Sequence, residues 1–241
     1  MSVSADWSWP RVALAGARDA LRLPAWIVGL GLIGIGSLAR DVGYPVDVAV
    51  LSTILVWAGP SQVLFFASIA AGAAWSAIAI AVGFASLRFL PMTMAIMPLL
   101  RRPGQSVWLQ IWLAHYVAVT AWTEGLRRLP GIPPHQRAVY FLGFANTCMV
   151  VSSIGTFSGY YLLGALPTPL AAGLLCLTPI FFLVSLTAGL RHVADVVAVG
   201  LGLALAPICE RFIGGGFDLI VSGLMAGSIA FLIGRRRKAA T

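Results

Sequence analysis

Three ionisable side chains sit inside apolar surroundings. Arg88 lies among Leu87, Phe89 and Leu90, His115 follows Trp112 and Leu113, and Glu124 closes the apolar run that starts at Ser106. A charge held at the centre of a lipid-spanning helix costs about 2.5–3.5 kcal/mol on insertion scales, so it needs a cavity, a partner or the interface. Arg88 is therefore a candidate to grip a carboxylate or to form a gating pair through its planar fork. The alternative is a long stem snorkelling to the headgroups near Arg101 and Arg102. Histidine is the side-chain type that changes charge near neutral pH, so His115 is a candidate proton relay, against the commoner role of a hydrogen-bonded packing residue. Glu124 is a candidate for coupling or gating, against a plain helix-surface pair with Arg127 or Arg128 one turn on.

Uncharged groups make the second set. Gly59-Pro60-Ser61-Gln62 falls in the middle of an apolar run at 46–71. Proline lacks a backbone donor and crowds the preceding turn, so a helix should break there. A break within lipid exposes unpaired backbone groups and belongs where a cavity is lined. Ser61 and Gln62 then stand beside it. A similar interruption is expected at Ser152-Ser153-Ile154-Gly155-Thr156, in the run at 138–166, with Asn146 and Thr147 just before it. Gly59, Ser61, Gln62, Arg88, Asn146, Ser153, Gly155 and Thr156 are the candidate substrate-binding residues. The alternative for the small residues is close helix packing, and for Asn146 helix-to-helix adhesion.

The elements that must position these groups are membrane helices. Of 241 residues, 59% are hydrophobic and 10% charged, which no soluble domain of this size tolerates. The apolar runs predict an all-α integral membrane protein with about eight spans, at 25–39, 46–71, 75–97, 106–123, 138–166, 170–188, 196–208 and 219–233. Those at 25–39, 196–208 and 219–233 are short for a full crossing. Residues 1–23 read as an amphipathic interfacial helix, with Trp7 and Trp9 as anchors. Residues 1–241 form a single transmembrane domain on this reading. Within it, 25–97 and 106–188 are possible three-helix units of an inverted repeat, followed by two further helices at 195–234. Spans two and five, the middle members, are the interrupted ones.

The net charge of +8 comes from short loops and from Arg235-Arg236-Arg237-Lys238. That placement is a positive-inside pattern rather than a nucleic-acid surface. With eight crossings and a cytoplasmic start, eleven of the Lys and Arg residues fall inside and four outside (Arg40, Arg101, Arg102 and Arg211). Both termini are expected in the cytoplasm. Cys148, Cys176 and Cys209 have no metal or disulfide spacing and read as small buried hydrophobes. Neither a metal nor a cofactor is expected. A phosphate-binding GxxxxGK[ST] loop is absent from the sequence, which disfavours an ATP-driven pump. The enzyme alternative is an intramembrane serine protease built on Ser158-Gly159 with His115 as base. Its spacing is wrong for Gly-x-Ser-Gly, and no enzyme is expected. A non-transporting membrane scaffold is the third class.

Taken in order, several of these residues resemble the AzlC family of branched-chain amino acid permeases. They are Gly16 and Arg18, Ala58-Gly59-Pro60-Ser61-Gln62, Ala70-Ala71-Gly72, Leu87-Arg88 and Thr123-Glu124. Ser153-Ile154-Gly155-Thr156 with Gly159, and Leu177-Thr178-Pro179-Ile180-Phe181-Phe182, continue the set. The likeness runs over roughly 16–185. Where the family commonly has Asp or Asn two residues before the arginine and His after it, this chain has Ser86 and Phe89. The resemblance implies a secondary transporter of the bacterial inner membrane. It implies export of branched-chain amino acids, in some members methionine or toxic analogues, and a small AzlD-type membrane subunit as partner. An amino-acid site needs donors for a carboxylate, acceptors for an ammonium and an apolar wall, for which Phe65, Phe66, Phe157 and Tyr160 are candidates.

Overall fold

The structure, a computed structural model, describes residues 8–162, 193–212 and 217–238, together with the single positions 169, 173 and 180. The described residues contain eleven α-helices. The chain forms two compact units, one of Met1–Ala73 and Phe89–Phe182, the other of Ala74–Arg88 and Leu183–Thr241. The first unit holds α1 (Trp9–Arg22), α2 (Pro24–Asp41), α3 (Val46–Val56), α4 (Gly59–Ala70), α6 (Phe89–Leu100), α7 (Val107–His115), α8 (Val119–Arg128) and α9 (Arg137–Leu162). The second holds α5 (Trp75–Ser86), α10 (Val193–Phe212) and α11 (Phe217–Lys238), with α10 packed along α11. The expected span at 170–188 lies outside the described residues, apart from two isolated positions.

The axis of the first unit is α9, 26 residues without a break, about 39 Å long at 1.5 Å per residue. By length and composition it is the one described helix long and apolar enough to cross a membrane; the number rises to three if α1 with α2, and α5 with α6, each count as one bent span. Its small residues let other backbones come close. A Cβ on Gly143 would run into the Ala13 carbonyl, one on Gly155 into that of Gly29, and one on Gly159 into that of Ile33. The approach is reciprocal, since Gly16 is closed in by Tyr140 and Gly36 by Thr156. So α1 crosses α9 near residues 140–144 and α2 runs parallel to it from Val151 to Tyr160. The 60° bend between α1 and α2 lies at Leu23. Pro24 disfavours helical geometry in the residue before it, which ends α1 there. The expected break of span five is thus corrected: Ser152 to Thr156 are continuous helix, because no proline interrupts the run and its glycines serve packing.

The expected second span also needs correcting. It is broken where expected but does not cross. Tyr44, just before α3, lies against Phe66 in α4, with ring centroids 6.2 Å apart. In a straight crossing these residues would be separated by about 33 Å. Gln62 in α4 bonds back to Ser52 and Thr53 in α3. The pair is therefore a hairpin: α3 descends from the Leu162 end of α9, turns at Trp57-Ala58, and α4 returns to the same end, where Phe66 and Ile69 pack among Ala39, Tyr44 and Tyr160.

Span four, expected to be continuous, is a second hairpin entering from the opposite end. Before α7, Arg102 lies over the Trp9 ring at 5.8 Å, and Trp9 meets His135, just before α9. The chain then rises through α7 to Tyr116, breaks at Tyr116-Val117-Ala118, and falls back through α8 to Arg128, which pairs with Asp19 of α1 at 2.9 Å. Arg102 therefore shares an end of α9 with Arg22, Arg128 and Arg137, and not with Arg40, whose guanidinium donates to the Tyr160 carbonyl at 3.4 Å. Arg102 and Arg40, expected on one side, thus lie at opposite ends of α9.

Candidate functional site

The tip of the first hairpin follows from Pro60. Continued helix would press its ring against the carbonyl of Val56, four residues back, and α3 stops at Val56. Trp57 then takes a left-handed conformation, φ 38°, and Ala58 an extended one. Pro60 is well placed in the first turn of α4, where its missing N–H costs nothing. Ser61 and Gln62, in the same turn, are fully buried, and Gly59 is partly buried.

Gln62 closes the hairpin. Its Nε2 donates to Ser52 Oγ and to Thr53 Oγ1, both at 3.0 Å. Thr53 Oγ1 in turn meets Thr156 Oγ1 on α9 at 2.8 Å, and Thr156 Oγ1 donates to the Leu32 carbonyl of α2 at 3.4 Å. Four helices are tied by neutral groups. The amide orientation is set by Ser52, whose hydroxyl gives its proton to the Ala49 carbonyl at 2.7 Å. Its oxygen can then only accept from Gln62, so the NH₂ faces it. Gln62 Oε1 is left buried and unmatched, as is Ser152 Oγ, one turn before Thr156 on α9.

The second tip meets the first. Tyr116 and Trp57, both buried, stack edge to face at 6.2 Å. Tyr116 Oη donates to Asn146 Oδ1 on α9 at 3.0 Å. Asn146 and Ser152 bracket the midpoint of α9, so both tips reach about halfway along it. Buried polar atoms without partners gather at these tips: Trp57 Nε1 and Gln62 Oε1 at one, Thr120 Oγ1 and Trp122 Nε1 at the other, Ser152 Oγ on α9. Each such group carries about 1–3 kcal/mol of unrecovered desolvation. Such groups beside two helix breaks make a candidate polar site in an apolar body.

The candidate residues divide accordingly. Gly59, Ser61, Gln62, Asn146 and Thr156 belong to the tips or to the α9 face beside them. Gly155 is a packing contact against α2. Ser153 is partly buried and stands outside the hydrogen-bond network. His115 ends α7 at the second tip, its ring 5.4 Å from Tyr116 and 6.1 Å from Trp112. Glu124 accepts from Arg127 and from Arg128 Nε (2.6 Å), while Arg128 also holds Asp19, which accepts from Tyr140 Oη at 2.7 Å. That network ties α1, α8 and α9 at the Arg137 end, away from the tips. Arg88 occupies the joint between α5 and α6, partly buried, at the end of a segment of the second unit. Of the candidate apolar walls, Phe66 is buried in the hairpin packing, whereas Phe157 is half exposed. Trp57, Tyr116, Ser52, Thr53 and Ser152 were not among the candidate binding residues, although Ser152 opened the interruption expected in span five. Ser52 and Thr53 carried a readable signal, two hydroxyls in an apolar run two to three turns before Gln62.

Neither the comparison with curated proteins nor that with solved structures gives a match. The family model described as AzlC protein matches residues 25–166, from α2 through the whole of α9. That span contains both hairpins, the polar network between them and the helix they meet on, and the chain belongs to the AzlC family.

Proposed function

We propose that this chain is a secondary transporter that exports branched-chain or similar apolar amino acids across the bacterial inner membrane. One observation carries the reading. Two hairpins enter from opposite ends of α9, and their tips touch at its middle around buried, unmatched polar groups. A site closed by one hairpin from each side can be opened to either face in turn, which alternating access requires. Helix termini at each tip offer free N–H groups and carbonyls to a small polar solute.

In this layout 46–71 and 106–128 are hairpins that enter from opposite ends of α9, so they are inverted with respect to each other, in a different register from spans two and five. Within the first unit Arg22, Arg102, Arg128 and Arg137 share the Arg137 end, which favours that end as the cytoplasmic one, and the loop charges favour a cytoplasmic location for both termini. A small AzlD-type subunit is the expected partner, and Arg88, His115 and Glu124 are the groups available for coupling.

The test is efflux of labelled leucine, isoleucine, valine and methionine from liposomes holding the purified chain, with and without the small subunit and a pH gradient. Saturable flux of apolar amino acids, competed by one another, is the expected outcome. Binding to the subunit without flux of any amino acid would favour the scaffold reading.

A further inference from the structure

The tip of the first hairpin carries two buried polar atoms of opposite kind that the fold leaves unmatched. The Trp57 indole N–H can only donate, and Gln62 Oε1 can only accept. Trp57 is 5% exposed and Gln62 0%. The Gln62 amide keeps its oxygen away from Ser52 as long as that hydroxyl gives its proton to Ala49. A molecule that completes this tip must bring a donor to Gln62 and an acceptor to Trp57.

A zwitterionic α-amino acid brings both on one carbon. Its ammonium supplies three donors and its carboxylate several acceptor sites. Hydrogen bonds with one ionised partner are roughly twice as strong as neutral ones, so a neutral tip can hold both ends firmly. The start of α4 favours the same polarity, with its positive dipole end toward an anion. A Cβ at Gly59 would sit in van der Waals contact with the Leu32 side chain at 3.5 Å, so glycine leaves this backbone covered only by the end of one flexible side chain. Ser152 Oγ adds a hydroxyl able to serve either end.

We infer that the first hairpin reads its substrate as a zwitterion through neutral groups, with Gln62 Oε1 accepting from the ammonium and Trp57 Nε1 donating to the carboxylate. The assignment deepens the transport reading and rests on it. It makes both charged ends of the substrate necessary, each to a different residue.

The experiment is equilibrium binding of labelled L-leucine to the purified chain in lipid nanodiscs. Competitors are leucinamide, which lacks the carboxylate, and 4-methylpentanoate, which lacks the ammonium. Trp57→Phe keeps an aromatic ring against Tyr116 while removing the N–H together with part of the indole. It should weaken leucine about tenfold and leave leucinamide unchanged. Gln62→Met should weaken leucine and leucinamide about tenfold and leave 4-methylpentanoate unchanged. Thermal unfolding of each variant reports its fold; should Trp57→Phe not fold, the Gln62→Met pattern decides. Wild-type leucine affinity in both variants, or equal loss of all three ligands, overturns the assignment. A wild-type chain that binds no apolar amino acid sinks the transport reading and this assignment with it, which is a distinct outcome.

Discussion

Trp57 has the one positive φ outside glycine among the described residues, and Pro60 is the cause. A bulky residue in that region is strained, and such strain persists where the surroundings hold it. Here Tyr116 packs on the ring. This break was legible because proline acts through covalent geometry, whatever surrounds it. The break at Tyr116–Ala118 was not legible, because no Gly or Pro marks it, and tertiary contacts of Tyr116 with Trp57 and Asn146 define it. Arg88 belongs to the same scale. The Pro91 ring crowds the carbonyl of Leu87, four residues back, so the helix is interrupted there and Arg88 sits at a joint between α5 and α6. If its fork grips a carboxylate, Arg88→Lys should cut initial export rate per inserted molecule about tenfold, and Arg88→Ala at least as much. Wild-type flux in the lysine variant would return Arg88 to anchoring.

At the scale of elements, the glycines of α9 explain why its interior was misread. Ser152, Ser153, Gly155, Thr156 and Gly159 look like a break by composition, yet lipid leaves the backbone no other hydrogen-bond partner and keeps it helical. The small side chains then allow α2 to lie parallel against α9. Gly155 and Gly159 have the spacing that brings two membrane helices into backbone contact. The contrast with a free glycine is testable. Gly159→Ala places a methyl on the Ile33 carbonyl and should destabilise the chain by about 1–3 kcal/mol. Gly83→Ala in α5, with nothing within 4 Å of the added methyl, should be neutral or stabilise by up to about 1 kcal/mol. Unfolding midpoints of both variants in detergent make the comparison. Equal midpoints would mean that α2 and α9 do not pack through Gly159.

For the whole molecule, the helical membrane class was legible because it depends on composition alone. The number of crossings was not, because a hairpin and a broken crossing share one sequence signature: an apolar run with a break halfway. Only contacts between the ends of the run separate them, and Tyr44 against Phe66 does so for 46–71. The same distinction changes the sidedness of every later loop. If eight segments crossed in alternation, Asp41 and Ala73 would lie on opposite sides, and so would Pro103 and His135. With two hairpins, Asp41 and Ala73 share the Leu162 end of α9, and Pro103 and His135 share the Arg137 end. All four positions are exposed, so single cysteines placed there in a chain without Cys148, Cys176 and Cys209 can be labelled in intact cells. A membrane-impermeant maleimide should modify Asp41→Cys and Ala73→Cys, whereas Pro103→Cys and His135→Cys should react only after the membrane is opened. The pairing is the sharper readout, since it does not depend on which end faces the cytoplasm. Asp41→Cys and Ala73→Cys reacting from opposite sides would restore a full crossing at 46–71 and remove the first hairpin, and with it the meeting of two tips on which the proposed site depends.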